Sequence, residues 1–181
     1  MALSFEDKVF WAKKGAKYNP DNPDETNAFY DLVNKSGMAE DSFFYYTNAY
    51  EAAGESGIKA LTYKKKMPDH VRETALQKIN QCFYDKTSRI PAQHKGKIGY
   101  LIKARNNTIT VSEKRPVFND PTRTSCSEVF QVRYTDYDDR WHLYWRRSSG
   151  KWWPYVPEKS VKVIEDCLKE VQKDISGCFW G

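Results

Sequence analysis

The sequence has few cysteines and no long apolar run. Its four cysteines, Cys82, Cys126, Cys167 and Cys178, are scattered over 181 residues without a Cys-X-X-Cys pair. This spacing argues against a zinc site or a disulfide framework and predicts buried, reduced thiols. No stretch approaches the roughly 18 consecutive apolar residues that span a bilayer, and the first residues contain no apolar signal-peptide core. We therefore expect a cytoplasmic protein that does not contact a membrane.

The common signatures of catalysis are also missing. The sequence has no glycine-rich phosphate loop, no nucleophile elbow and no His-Glu-X-X-His pattern. Glu113, His142 and the acids at 136, 138 and 139 could in principle bind a metal and cleave a phosphodiester bond, but that acidic run is typical of a turn. We predict no cofactor, no metal and no catalytic residue, and keep a metal-dependent nuclease as an alternative.

Aromatic residues and basic charge are abundant instead. The chain contains 12 Tyr, 9 Phe and 6 Trp, which suit a packed α+β domain. Residues 1–67 contain nine Lys against ten acidic residues, a net charge of −1, whereas residues 68–181 have a net charge of +6. The basic surplus therefore lies in the second part of the chain, where contact with nucleic acid is favoured.

Capping and spacing signals predict three helices in the first third of the chain. Asn22 can cap a helix that begins at Pro23, and Gly37 can end it, because glycine tolerates a left-handed conformation. Apolar spacing predicts the other two helices over 5–14 and 40–53, with Gly54 ending the second of them and a short apolar turn following at 57–61. We predict a trihelical module over residues 1–63.

A basic linker over 64–68 precedes a second domain. A helix should begin at Pro68, and from Lys97 the apolar residues alternate with polar ones, as in strands. A turn at 106–107, a strand over 130–134, another over 141–145 and a turn before Trp152 predict an antiparallel sheet of about five strands. A final helix is predicted to start at Pro157. Residues 69–181 thus form an α+β domain whose sheet is flanked by two helices.

A spaced set of small, apolar and aromatic residues runs through residues 24–62. Its members are Gly37, Met38, Ser42, Phe43, Tyr46, Tyr50, Gly57 and Leu61. In order and spacing this set resembles the helix-turn-helix of insertion-sequence transposases. In such a module a glycine-containing turn sets two helices at a steep angle, so that the second can lie in the major groove of DNA.

The resemblance implies which side chains of the first module would contact DNA. Residues expected to point outward from the second helix, toward base edges or phosphates, are Asp41, Ser42, Tyr45 and Asn48. Residues expected to anchor the DNA backbone are Lys59, Lys64, Lys65 and Lys66. However, the second helix contains Glu40, Asp41 and Glu51 without Lys or Arg, which opposes phosphate contact. A bundle that binds another protein therefore stays an alternative.

The second domain contains several aromatic motifs. They are Glu113-Lys114-Arg115-Pro116, Arg133-Tyr134, Trp141-His142-Leu143-Tyr144-Trp145, Lys151-Trp152-Trp153-Pro154-Tyr155 and the closing Asp174 to Gly181. With these motifs, residues from about Pro68 to Gly181 resemble an uncharacterised bacterial family, the domain of unknown function 3024. That family has no established activity, so the resemblance implies domain boundaries and fold class only.

Basic side chains alternate with aromatic ones in the predicted sheet. The basic residues of this region are Lys97, Lys103, Arg105, Arg115, Arg133, Arg140, Arg146, Arg147 and Lys151. Cations can meet phosphates while bases stack on aromatic rings, so this pattern favours a nucleic-acid surface. We take as candidate contacts Arg115, Arg133, Arg146, Arg147 and Lys151. The alternative is that the rings form the core and the charges only solvate the outer face.

These patterns together predict a protein that binds double-stranded DNA, in a regulatory or mobile-element role. The helix-turn-helix would dock on DNA, and the basic sheet would hold the DNA backbone or a partner. A protein-interaction adaptor without DNA binding is the main alternative. A homodimer is also compatible with the sequence, since helix-turn-helix proteins commonly pair to read two half-sites.

Overall fold

A computed structural model describes residues 3–63, 65–84, 97–156 and 160–180. Over these residues the fold is α+β, with helices α1 to α5 and one antiparallel sheet whose strands lie in chain order, β1-β2-β3-β4-β5. The elements are α1 Phe5–Gly15, α2 Pro23–Ser36, α3 Glu40–Thr62, α4 Asp69–Tyr84, β1 Gly99–Arg105, β2 Thr108–Val117, β3 Asp120–Thr135, β4 Arg140–Arg146, β5 Trp152–Pro154 and α5 Ile164–Lys173. The predicted fold class is confirmed, because N-terminal helices precede a five-stranded antiparallel sheet.

Capping side chains mark the start of α1, and α2 begins and ends where its capping residues predict. The Ser4 hydroxyl accepts a hydrogen bond from the backbone N–H of Asp7, whose carboxylate accepts one from the Ser4 N–H. Asn22 caps α2 with Pro23 in its first turn, and Gly37 ends that helix at φ 67°. Local side-chain chemistry therefore determines these boundaries.

The third helix is longer than expected. Ala53 and Gly54 leave helical geometry, as the sequence predicts, and Gly54 takes φ 59° and ψ −143°, a conformation essentially confined to glycine. The predicted apolar turn at 57–61 is wrong, since the chain returns to a helix that ends at Thr62. The physical reason is burial: Ile58 packs with Ala12 of α1, and continuing the helix keeps Ile58 in that cluster.

The main core lies between one face of the sheet and helices α4 and α5. Its sheet residues alternate along each strand, and they include Ile109, Val111, Phe130, Val132 and Leu143. The helices contribute Ala75, Ile79, Phe83, Ile164, Leu168 and Val171. The aromatic residue Trp141 also belongs to this core, and Trp145 packs against it. The alternative that aromatic residues of the sheet form the core therefore holds for these two rings.

Two elements of the second domain differ from the sequence prediction. The third strand begins at Asp120, ten residues before the apolar stretch at Phe130, because β2 and β3 continue together as a long hairpin. The last helix begins at Ile164 rather than at Pro157, which itself lies outside the described residues. Val161, expected on that helix, instead exchanges backbone hydrogen bonds with Trp141. This strand-like pairing provides hydrogen-bond partners for the backbone N–H and C=O groups of Val161 before the helix starts.

The opposite face of the sheet is half covered by α3. The residues that line this contact are Ala49, Ala52, Gly57, His142, Tyr144 and Pro154. The Ser160 N–H donates to the Ala52 carbonyl at 3.2 Å, and Tyr137 donates through its hydroxyl to the Ser56 carbonyl at 2.7 Å. The helical module therefore packs on strands β4 and β5 and on the end of β3 near the buried Thr135, and it leaves β1, β2 and the rest of this face of β3 uncovered by α3.

The connection between the two parts lies against the sheet. Lys64 is outside the described residues, but Met67 is buried and its N–H donates to the Asn106 carbonyl at 3.1 Å. This contact ties the predicted linker to the β1–β2 turn.

Candidate nucleic-acid interface

The half of the sheet that α3 leaves uncovered presents polar and basic side chains, which we call the open face. Residues paired across antiparallel strands lie on the same side, and those adjacent to core residues lie on the other side. Lys103 pairs with Thr110, which pairs with Gln131, and the next row joins Arg105, Thr108 and Arg133. These rows alternate with the buried Ile109 and Val132, so they lie on the side away from α4 and α5.

Arg133 is held in place at the centre of this surface. Its Nε donates to the Gln131 side-chain carbonyl at 2.9 Å, while the Gln131 amide donates to the Thr110 hydroxyl at 2.9 Å. The Arg133 guanidinium lies 3.9 Å from the centre of the Tyr144 ring. A stacked guanidinium with one oriented N–H retains other donors for an anion.

The Tyr144 ring under this guanidinium is buried between the sheet and α3. Its residue is 1% exposed, and burial raises the pKa of the phenol. The hydroxyl therefore stays neutral, and the ring gives Arg133 a fixed apolar platform.

A cleft of 330 Å³ joins the open face to the start of α3. Its lining residues are Asp41, Ser42, Tyr45, Arg133, Gly150, Lys151, Trp152 and Trp153. Five of these, Asp41, Ser42, Tyr45, Arg133 and Lys151, are among the candidate contacts predicted from the sequence. The structure thus brings candidates from both halves of the chain together in one cleft.

The first turns of α3 face β5 rather than standing free. Lys151 Nζ lies 2.7 Å from the Asp41 carboxylate, and this hydrogen-bonded cation lowers the pKa of Asp41. The Tyr45 and Trp153 rings meet edge to face with centres 6.0 Å apart. The helix predicted to read base edges is thus docked on its own sheet domain.

A larger groove of 740 Å³ lies on the other side of Trp153. Asn48 and Arg147, both predicted contacts, line it, and the Arg147 guanidinium lies 4.3 Å from the centre of the Trp153 ring. The acidic lining residues are Asp21, Glu25, Glu40, Asp41 and Glu51. This excess of carboxylates makes the groove unfavourable for a phosphate backbone.

The remaining predicted contacts do not line the cleft and have partners of their own. Arg146 lies beside the cleft, because its Nε donates to the Gly150 carbonyl at 3.4 Å. Arg146 lies 3.1 Å from Glu128, and Arg115 lies on the β2–β3 hairpin, 2.5 Å from Glu113. Lys65 pairs with Asp136 at 2.5 Å and Lys66 with Asp69 at 3.0 Å. Lys59 Nζ lies 5.7 Å from the ring centres of Phe5 and Tyr137. Lys64 is outside the described residues, so the structure does not locate the full lysine run.

Several residues of the open face were not selected from the sequence. Lys103 and Arg105 stood out only as basic residues of the region, Trp152 only as part of a family motif, and Thr110 and Gln131 carried no signal of their own. The alternation of Ile102 with Lys103 could have placed Lys103 on the side opposite the core. The cross-strand partners could not be predicted, because pairing register depends on the hairpins.

The acidic residues considered for a metal site have structural roles. Among the residues that the structure describes, no group of three or more His, Cys, Asp or Glu side chains is arranged to hold a metal ion. The His142 Nε2 and Thr135 Oγ1 atoms lie 3.1 Å apart, and the Thr135 hydroxyl donates to Asp138. Asp138 also accepts from Ser56 of α3. This network joins the helical module to the β3–β4 turn.

The fold and this surface define a class: an α+β protein in which a helical module covers half of one sheet face and leaves a basic half open. Residues 66–181 match the family model of DUF3024, a domain of unknown function, and the chain belongs to that family. No curated protein and no solved structure matches the chain. Among the described residues, no helix is long and apolar enough to cross a membrane. The likeness of the first module to transposase helix-turn-helix domains stays a prediction.

Proposed function

We propose that the protein binds double-stranded DNA through the open face of its sheet and the adjoining cleft. The observation that carries this proposal is the cluster of cations on one surface: Lys103, Arg105 and Arg133 on the open face, with Lys151 at its border. Within the described ranges, no ion pair joins Lys103, Arg105 or Arg133 to an acid. Their charge is therefore available to phosphates, which dominate the affinity of proteins for DNA.

Hydrogen-bond donors support the same surface. The Thr110 hydroxyl on the open face accepts from Gln131 and keeps its own proton, and hydroxyl groups of this kind contact phosphate oxygens. Arg133 is preorganised by Gln131 and Tyr144, so less side-chain entropy is lost when it binds an anion. These contacts would position a duplex without reading its sequence.

We assign the DNA contacts to the sheet rather than to an inserted α3. The start of α3 bears Glu40 and Asp41, and the Asp41 carboxylate already pairs with Lys151. Placing that helix in a major groove would bring carboxylates to phosphates and separate Tyr45 from Trp153. Both changes oppose binding, whereas the open face needs neither.

A salt series tests the proposal. Fluorescence anisotropy of a labelled mixed-sequence duplex should show an affinity that falls with salt at a log-log slope of about −3, since Lys103, Arg105 and Arg133 would each displace about one counterion, whereas Asp41 neutralises Lys151. A protein-interaction adaptor would not bind the duplex. Absence of measurable binding at about 50 mM salt would contradict the proposal.

Paired variants locate the surface. Replacing both Lys103 and Arg105 by alanine should reduce the magnitude of the slope by about 2, because two phosphate contacts are lost. The matched control is alanine at Lys162 and Lys169, two exposed lysines on the side of α4 and α5. If the control changes the slope as much as the open-face variant does, the charge effect is general and the surface is wrongly assigned.

A further inference from the structure

The β2–β3 hairpin extends beyond the rest of the sheet. Strand β1 pairs with β2 only as far as Lys114, and β4 pairs with β3 only as far as Phe130. Among the described residues, the segment from Arg115 to Ser125 is therefore a two-stranded ribbon with no strand on either side. We call this segment the ribbon. Two-stranded ribbons bind in the major groove of DNA and, in some proteins, in the minor groove.

The end of the ribbon carries an exposed aromatic ring. Phe118 is 98% exposed, and it lies in the turn between Val117 and Asp120, which pair with each other. The Asp120 carboxylate accepts hydrogen bonds from the Thr122 N–H at 3.1 Å and from the Thr122 hydroxyl at 2.5 Å. This local bonding and the fixed φ of the neighbouring Pro116 and Pro121 hold the turn while Phe118 faces water.

The flanks of the ribbon suit an anionic partner. Lys114 and Arg123 are exposed on or beside it, Arg115 is exposed but pairs with Glu113, and Asp120 is engaged in the turn. Lys114 pairs with Gly99, two residues from Leu101 and four from Lys103 along β1, so it lies on the same side as the open face. Lys114 thus continues the cations of the open face toward the exposed ring, while Arg115 lies on the other side of the strand.

One hydroxyl group adds an uncharged donor along the same segment. Thr124 lies on the returning strand, where it pairs with Pro116, while the Thr122 and Ser125 hydroxyls donate within the ribbon to Asp120 and to the Arg115 carbonyl. A partner with closely spaced phosphates would meet Lys114, Arg123 and the Thr124 hydroxyl, with the Phe118 ring at the end of the ribbon. Duplex DNA has this chemistry, and its minor groove is where proteins insert apolar wedges between base pairs.

We propose that the ribbon enters the minor groove of bound duplex DNA and that Phe118 wedges between neighbouring base pairs, which kinks the DNA. This inference rests on the proposed function, because the open face must first bind the duplex. The ring would partly unstack one base step, at a cost that the additional phosphate contacts along the ribbon offset.

Unstacking and bending can be measured directly. A duplex with 2-aminopurine beside a flexible TA step should brighten when the wild-type protein binds, and a duplex labelled at both ends should show increased energy transfer. F118A should abolish both signals and weaken binding about ten-fold, because one stacking contact is lost. The salt dependence should be unchanged, since no charge is removed.

Two further variants serve as controls. F118L retains an apolar wedge and should restore much of the bending. Ile175→Ala removes another apolar side chain, 84% exposed and outside the ribbon, and should leave bending and affinity unchanged. Because Phe118 is almost fully exposed, F118A should also keep the melting temperature of the wild-type protein, which separates loss of the wedge from loss of the fold.

The outcomes distinguish this inference from the function on which it rests. Duplex binding by the wild-type protein without a change in 2-aminopurine fluorescence or energy transfer would overturn the wedge and leave the DNA surface standing. Absence of duplex binding would overturn both. If F118A instead converts a dimer into a monomer in sedimentation while bending persists, the ring is a self-association contact and the wedge is wrong.

Discussion

At the scale of single residues, His142 shows how the two parts of the chain depend on each other. Its ring is 5% exposed beneath α3, and burial lowers its pKa to about 4, with Arg133 and Arg140 acting in the same direction and Asp138 opposing them. Alternation along the strand places His142 on the face away from Trp141 and Leu143. It could not show that α3 covers that face, because this contact joins residues about ninety positions apart.

The titration of His142 predicts a pH-dependent stability. Above pH 6.5 the imidazole is neutral in both the folded and the unfolded chain. As the pH falls toward 4, the unfolded chain takes up a proton that the folded chain does not, so this residue should lower the free energy of unfolding by on the order of 3 kcal/mol. Urea unfolding of the wild-type protein and of H142Q at pH 7 and pH 4 measures the difference.

The H142Q variant isolates this effect from the carboxylates, which titrate in both proteins. It retains an amide that can donate toward Thr135 but has no imidazole to protonate. Its free energy of unfolding should fall less on acidification than that of the wild-type protein. Equal losses in the two proteins would show that His142 is not held neutral in the fold.

At the scale of secondary-structure elements, the sequence predicts those helix boundaries that depend on neighbouring residues alone. Asn22, Pro23 and Gly37 define α2 through capping, and Gly54 interrupts α3 through its backbone conformation. The predicted boundaries were wrong where contacts with distant parts of the chain determine the end of an element. Helix α3 continues after Gly54 because Ile58 is buried against α1, and β3 begins at Asp120 because it pairs with β2 rather than because it is apolar.

The return of α3 depends on a close backbone approach at Gly57. A methyl group added there would lie 1.8 Å from the Ala49 carbonyl oxygen, so the two segments of α3 would have to separate. Gly57→Ala should therefore lower the free energy of unfolding by about 3 kcal/mol, as measured by urea unfolding. Gly99→Ala is the control, since no atom of the described part of the chain lies within 4 Å of its added methyl group.

Comparison of these two alanine variants shows whether a loss of stability comes from the steric contact at Gly57 or from the replacement of any glycine. Both remove one glycine from the chain, so both reduce the entropy of the unfolded state similarly. Only Gly57→Ala meets a fixed backbone atom. A loss at Gly57 no larger than that at Gly99 would contradict the described contact between Gly57 and Ala49.

At the scale of the whole molecule, the sheet has two different faces. One face forms the core with α4 and α5, and the other is divided between a part buried under α3 and a basic open part. The fold class and the strand count could be read from alternation and turns in the sequence. The candidate site could be read only in part: Arg133 and Lys151 were selected from their residue type, but their shared cleft with Asp41 and Tyr45 depends on how the module docks.

The most direct test of the central claim is to map the DNA contact on the protein itself. In amide correlation spectra of isotope-labelled protein titrated with a short duplex, the signals of Lys103, Arg105 and Arg133 should shift. Those of Lys169 and its neighbours on α5 should stay in place, since α5 packs on the opposite face of the sheet. Shifts that concentrate on α5 while the open face is unchanged, or no shifts at all, would contradict binding of DNA at the open face.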